Sequence, residues 1–133
     1  MFEWKPEYSV HIPEIDIQHQ RLFALAAELY TAMTQGKAKT VLEQSLARLV
    51  DYTKTHFANE EQFMRKYRYP EAGAHKVQHD QLTAQVLDFQ KKLRGGEASL
   101  TINLMVFLKN WLERHILGSD LQYSAYIRGK LAA

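Results

Sequence analysis

Apolar residues recur along most of the chain at steps of three and four, the period of a helix that buries one face. Between Pro13 and Gln35 they fall at Ile15, Leu22, Phe23, Ala26, Leu29, Tyr30 and Met33. From Lys39 to Tyr69 the stripe is Leu42, Leu46, Leu49, Thr53, His56, Glu60, Phe63 and Tyr67. From Glu71 to Arg94 it is Ala72, His75, His79, Leu82, Val86, Phe89 and Leu93. A fourth segment starts near Ser99, its candidate N-cap. It runs through Thr101, Leu104, Leu108, Trp111 and His115, then resumes past Gly118 to Tyr126 or Ile127. Gly36, Pro70 and Gly95-Gly96 stop the first three segments. Residues 1–12 hold Phe2, Trp4 and Tyr8 around Pro6 and read as an extended arm that lays its aromatics on the body. No segment shows strand periodicity, and short loops make neighbouring helices antiparallel. The pattern predicts an all-α chain: an up-down-up-down antiparallel four-helix bundle with an extended N-terminal arm. It reads as a single domain over 1–133, with the bundle at 13–133.

Polar residues interrupt these inward stripes. His56 and Glu60 sit on the inward face of the second helix, and His75 and His79 on that of the third. His19 shares a face with Leu22, Phe23 and Ala26, and His115 closes the inward stripe of the fourth helix. Each could by itself be an ordinary core or surface residue. Together, all four helices bring polar groups inward, where an unpaired carboxylate is costly. Residues four apart on a helix point the same way, so each i,i+4 pair can reach one metal ion. Asp120 is different. It lies five residues after His115, about 140° round an ideal helix at roughly 100° per residue. On spacing alone it reads as a surface residue, unless a bulge or break at Gly118 turns it inward.

Composition narrows the chemistry. The 133 residues include no cysteine, which removes disulfides, zinc–thiolate sites, iron–sulfur clusters and cysteine nucleophiles. Any metal must be held by nitrogen and oxygen. Seventeen basic and 15 acidic residues give a net charge of +2, which calls for neither nucleic acid nor an anionic membrane. The N-terminus carries no basic segment followed by an apolar run, and no apolar stretch approaches the roughly 20 residues of a membrane span. A cytoplasmic protein is expected.

With Asp120 counted, five imidazoles and two carboxylates are too many donors for one ion. Two six-coordinate ions offer about twelve positions. Two bridging carboxylates, five histidines and one bridging oxygen fill all but one. The odd number of histidines implies one ion with three histidines and another with two and an open position. Such nitrogen-rich donors suit iron better than manganese or zinc.

Taken together, Trp4, Ile15-Asp16-Ile17-Gln18-His19, His56-Phe57-Ala58-Asn59-Glu60-Glu61, His75-x-x-x-His79-Asp80 and Trp111-Leu112-x-x-His115-Ile116-x-x-x-Asp120 resemble the hemerythrin family, and within it the stand-alone bacterial form. The resemblance spans nearly the whole chain. It implies a cofactor of two Fe ions under an oxo or hydroxo bridge. His75, His79 and His115 would hold one iron, His19 and His56 the other, and Glu60 and Asp120 would bridge them. It thereby supports Asp120 as a ligand. The implied function is reversible O2 binding for transport, storage or delivery, with no catalytic residues. The alternatives are an O2 or redox sensor, or a di-iron enzyme with peroxidase or NO/nitrite chemistry. O2 is the expected partner, and an oxygen-consuming client is unidentified. Leu22, Phe23, Trp111, Leu112 and Ile116 are candidates for a dry wall beside the open position, though each also reads as ordinary core. His11 falls outside the pattern and reads as a surface residue.

Overall fold

Helix boundaries follow the chain's punctuation, with three displacements. The computed structural model describes residues 1–97, 99 and 101–132. Helix α1 spans Pro13–Thr34, opening with proline at its first turn, where the fixed φ suits the helix and the missing N–H is not needed. It closes where Gly36 turns left-handed at φ 66° and Lys37 N–H returns to Ala32 O at 3.0 Å. Helix α2 spans Lys39–Lys66 and stops three residues short of the expected Tyr69. Pro70 disfavours a helical Tyr69. The chain therefore turns early, through a left-handed Arg68 (φ 54°), and Tyr69 N–H closes on Met64 O at 2.9 Å. Arg68 has no glycine's freedom, and Tyr126 hydroxyl pins its carbonyl at 3.1 Å.

Helix α3 spans Ala72–Arg94. Helix α4 spans Ile102–Arg114, and its N-cap is Thr101, not Ser99: Thr101 Oγ1 accepts from Leu104 N–H at 3.2 Å. Capping turns Thr101 outward, so the inward stripe starts at Met105 and Leu108 rather than at Thr101. The helix then passes through a π-helical turn, His115–Asp120, into α5, Leu121–Ala132, beyond the expected end at Ile127. Gly118 was expected to permit the distortion. Its φ is not left-handed, and an added Cβ would meet nothing within 4 Å. The turn is therefore no consequence of glycine's conformational freedom.

The described chain is all-α, a four-helix bundle whose fourth helix is α4, the π turn and α5 in succession. Helix α1 packs on α2 and α2 on α3. The core includes Ile15, Leu22 and Leu29 of α1, Leu46 and Val50 of α2, Leu82 of α3, Met105 and Leu108 of α4, and Tyr123 and Ile127 of α5. The arm is not fully extended, because Pro6–Tyr8 forms one 3₁₀ turn. That turn stacks Tyr8 on Phe23 (centroids 5.1 Å) with Trp4 edge-on to the same ring at 5.7 Å. Phe23 thus packs under the arm. Asp16 fixes the arm's end by accepting from Val10 N–H at 2.8 Å and Ser9 Oγ at 2.5 Å. Ser124 hydroxyl donates to Val10 O and ties the arm to α5. His11 is exposed. Among the described residues no helix is long and apolar enough to cross a membrane.

Leu29 is completely buried. Leu29→Ala should cost about 2–5 kcal/mol from lost transfer energy and the cavity left behind, read as a lower urea midpoint at unchanged slope.

Candidate metal centre

One layer of the bundle is polar. His56 and Glu60 stand one turn apart on α2, with Nε2 and Oε1 3.2 Å apart. His75 and His79 repeat that spacing on α3, their ring centroids 4.5 Å apart. His19 comes in from α1 with its ring 4.7 Å from that of His56. His115 and Asp120 open and close the π turn, and their Nε2 and Oδ1 lie 3.1 Å apart. An α-helix would set these two on different faces, whereas the i→i+5 pattern brings residues five apart onto one. All seven are buried, and Glu60 and Asp120 have 0% exposure.

The seven fall into two overlapping groups. Glu60, His75, His79, His115 and Asp120 each offer one ligand atom within 4.8 Å of the others, and His19, His56 and Glu60 form the second group. The carboxylates face both. Asp120 Oδ1 lies 3.0 Å from His75 Nε2, while Oδ2 lies 3.2 Å from His19 Nε2. Glu60 Oε1 lies 3.2 Å from His56 and 3.3 Å from His79.

These atoms converge without satisfying one another. Both nitrogens of His19, Glu60 Oε1, His75 Nε2 and both oxygens of Asp120 are buried without a hydrogen-bond partner. Among the described residues only Ser45 Oγ shares that condition. Lone pairs gathered in a dry interior and unused by the protein are what cations coordinate, so the donor set fits metal binding.

Each helix also steadies a histidine of the next. His56 Nδ1–H donates to Gln18 Oε1 of α1 at 2.6 Å, and His79 Nδ1–H to Glu61 Oε2 of α2 at 3.0 Å. His115 Nδ1–H donates to Gln78 Oε1 of α3 at 2.9 Å, and Ser119 Oγ donates to the same oxygen at 2.8 Å. These tautomers leave Nε2 of each ring free to face inward. Tyr123 hydroxyl donates to Glu60 Oε2. Reading inward stripes does not single out Gln18, Glu61 or Gln78, which lie beside the stripe. The available signal is adjacency: each is next in sequence to a member of the cluster. Tyr123 follows Asp120 by three, a helical neighbour visible once Asp120 is turned inward.

Charge sets the protonation of this layer. Burial alone would push the His19 pKa down, but Asp120 and Glu60 outweigh it and raise it to about 10. The 3.2 Å approach to Asp120 lacks hydrogen-bond geometry, so the attraction is chiefly one of charge. Burial opposes ionisation of Glu60 and Asp120, yet the surrounding imidazoles hold both carboxyls below their usual range. Burial and then the two carboxylates push the Tyr123 hydroxyl well up, so it stays a proton donor.

One turn from this layer the interior is apolar. A cavity of about 30 Å³ is walled by Leu22, Leu82, Val86, Leu108 and Leu112 among others. Thr53 also lines it, but its hydroxyl donates to Leu49 O at 2.7 Å. Leu22, Thr53, Leu82 and Leu112 each stand three residues from His19, His56, His79 and His115 respectively, so the cavity borders the polar layer on all four helices. Trp111 takes another place, stacked on His115 beside an open cleft.

A bundle that buries such a donor layer defines an all-α cation-binding protein, and comparison with known proteins agrees. The sequence profile described as the hemerythrin HHE cation binding domain matches residues 10–127. A bacteriohemerythrin of Stenotrophomonas maltophilia is 32% identical over 128 residues, covering 96% of this chain and 82% of that one. One from Methylococcus capsulatus is 33% identical over 117 residues, 88% of each. A crystal structure of wild-type hemerythrin superposes with a TM-score of 0.89 at 31% identity, covering 94% of this chain and 96% of that one. The chain belongs to the hemerythrin family.

The pKa shifts carry signs that can be tested. His19 is raised from 6.5 to about 10, so in metal-free protein its contribution to stability is full below pH 6.5 and fades as pH rises to about 10. The lowered carboxyls contribute above their ordinary values of 4.5 and 3.8 and lose that contribution as pH falls to their shifted ones. Metal-free protein should therefore lose stability towards both extremes. A metal bound through His19 would need that ring neutral. Loading metal at pH 8 should accordingly release about one proton from this residue, read by calorimetry in buffers of different ionisation enthalpy. Loading without proton release would contradict it.

Proposed function

We propose that the protein binds O2 reversibly at a pair of iron ions in this layer. The carrying observation is the cluster itself: five imidazoles and two carboxylates, buried together, with lone pairs the protein leaves unused. His75, His79 and His115 would hold one ion, and His19 and His56 the other. Glu60 and Asp120 would join them, since each faces both groups. Bound iron would supply the electrons with which O2 associates.

The chain's own residues do the rest. Gln18, Glu61 and Gln78 keep the imidazole rings aimed, and the Tyr123 hydroxyl occupies one oxygen of Glu60. The histidine-poorer ion would be left with the coordination position for O2. The apolar cavity that borders the layer suits a small neutral molecule and offers water no partner, so these walls would keep water from the site. Transport, storage or delivery of O2 follows as the role. Oxygen supply to a client, sensing and catalysis differ in what they need beyond binding. Sustained turnover with a reductant would mark an enzyme, and a partner that binds one redox state would mark a sensor.

The deciding experiment is metal analysis together with anaerobic reduction and readmission of air. Two irons per chain and an absorption band that appears with O2 and vanishes on its removal are expected. Absence of a reversible band would refute O2 binding. Acid gives an independent test, because protonated histidines cannot hold metal. Metal should leave progressively as pH falls and be lost below about pH 5. Full retention at pH 4 would contradict the histidine-rich assignment.

A further inference from the structure

The π-stacked pair Trp111–His115 joins the metal layer to an open cleft between α3 and α4. The indole lies nearly parallel to the imidazole, 18° between planes and 4.5 Å between centroids. Trp111 is only half-buried and also lines the cleft. His115 forms part of the same wall and, at 5%, is the most exposed of the seven cluster residues. Oxygen binding as proposed assigns Trp111 no task.

The cleft encloses about 420 Å³, the size of a small-molecule site. Helix α4 lines it with Phe107, Asn110, Trp111 and Arg114, which share one face at i, i+3, i+4 and i+7. Helix α3 contributes Gln78 and Gln81. The walls therefore combine two aromatic faces, one of them 41% exposed at Phe107, with three carboxamides and one exposed guanidinium. Aromatic rings stack on planar ligands, amides match a ring edge that alternates donors and acceptors, and Arg binds phosphate bidentately. The ligand with all three features is a planar heteroaromatic bearing a phosphate. One that also carries electrons is a flavin nucleotide.

We propose that this cleft binds a reduced flavin mononucleotide and that Trp111 relays its electrons through His115 to the metal pair. The inference rests on the di-iron reading. An iron pair that loses its electrons to O2 becomes diferric and no longer binds O2, so it needs resetting. One dihydroflavin would give up two electrons and two protons and become oxidised flavin. Each ferric ion would take one electron and become ferrous, and the protons would pass to solvent. Electronic coupling falls steeply with distance, and direct π contact at His115 is the short path from this cleft. Trp111 is thus a relay, and Arg114 a specificity determinant at the rim.

Two measurements on the full iron-loaded chain test this. Titration with oxidised flavin mononucleotide, followed by flavin fluorescence, should saturate. R114A should weaken that binding at least tenfold while leaving riboflavin, which lacks the phosphate, within about twofold. In anaerobic stopped flow, W111L should slow reduction of the diferric protein by dihydroflavin mononucleotide at least tenfold. Reduction by dithionite should change less than twofold, and W111F should restore part of the rate. Absence of saturable flavin binding overturns the proposal, as does wild-type dihydroflavin reduction in W111L. A quinol or a protein donor that saturates where flavin does not would overturn it too. If W111L fails to hold iron, R114A and F107A decide through flavin binding and the dihydroflavin rate. The binding measurement does not depend on the identity of the metal. Its failure beside a normal O2 band removes the cleft proposal alone, and saturation without an O2 band removes the O2-binding reading and with it the relay, while flavin binding in the cleft stands.

Discussion

Two carboxylates with no access to water must be matched by positive charge, and the bundle is organised around that requirement. Glu60 and Asp120 are wholly buried in one layer. Burial works against their ionisation, and the charge of Glu60 works against that of Asp120. Without a cation, a proton on His19 is the available counter-charge, which is why its pKa stands so far above that of a free imidazole. A metal ion would replace the proton with greater charge and would engage the oxygens and nitrogens now lacking partners. Proton and metal thus compete for one role. Affinity for metal and stability without it are therefore linked through the same residues.

The same requirement accounts for the break in the fourth helix. Regular geometry would carry Asp120 away from His115 and out of the layer. The π turn widens the helix over six residues and brings both inward. Gly118 lies within it, but neither its backbone angle nor its surroundings demand glycine. What the turn gains is the contact of Asp120 with His19, His75 and His115. A local distortion of the backbone is here the consequence of side-chain electrostatics between helices.

This bears on what a sequence can disclose. His56 with Glu60, and His75 with His79, are legible because helical period alone puts i,i+4 pairs on one face. The bundle is legible for the same reason, since Leu46, Leu49, Leu82 and Leu108 mark inward faces that the structure buries. Asp120 is not legible from spacing, because the distortion that turns it inward serves contacts with other helices. Resemblance to a family supplied what periodicity could not. Helix ends shifted where short-range chemistry overrode the stripe: Thr101 caps and so faces out, and Pro70 ends α2 before reaching it. Gln18, Glu61 and Gln78 are not legible as partners of the histidines, because a polar residue on a helix flank looks like surface until the next helix is placed beside it.

Those flank residues show how the layer is held in register. Gln18 on α1 meets His56 on α2, Glu61 on α2 meets His79 on α3, and Gln78 on α3 meets His115 at the π turn. Each helix orients a ring on the next, so sliding one helix would misaim a histidine on its neighbour. The links are not equivalent. Two are neutral carboxamides, and one is a carboxylate, which makes the His79 ring the more strongly polarised donor. His19 has no such partner on either nitrogen. Of the three anchored rings, His79 and His115 fall in one group and His56 in the other, while His75 Nε2, like both nitrogens of His19, has no hydrogen-bond partner.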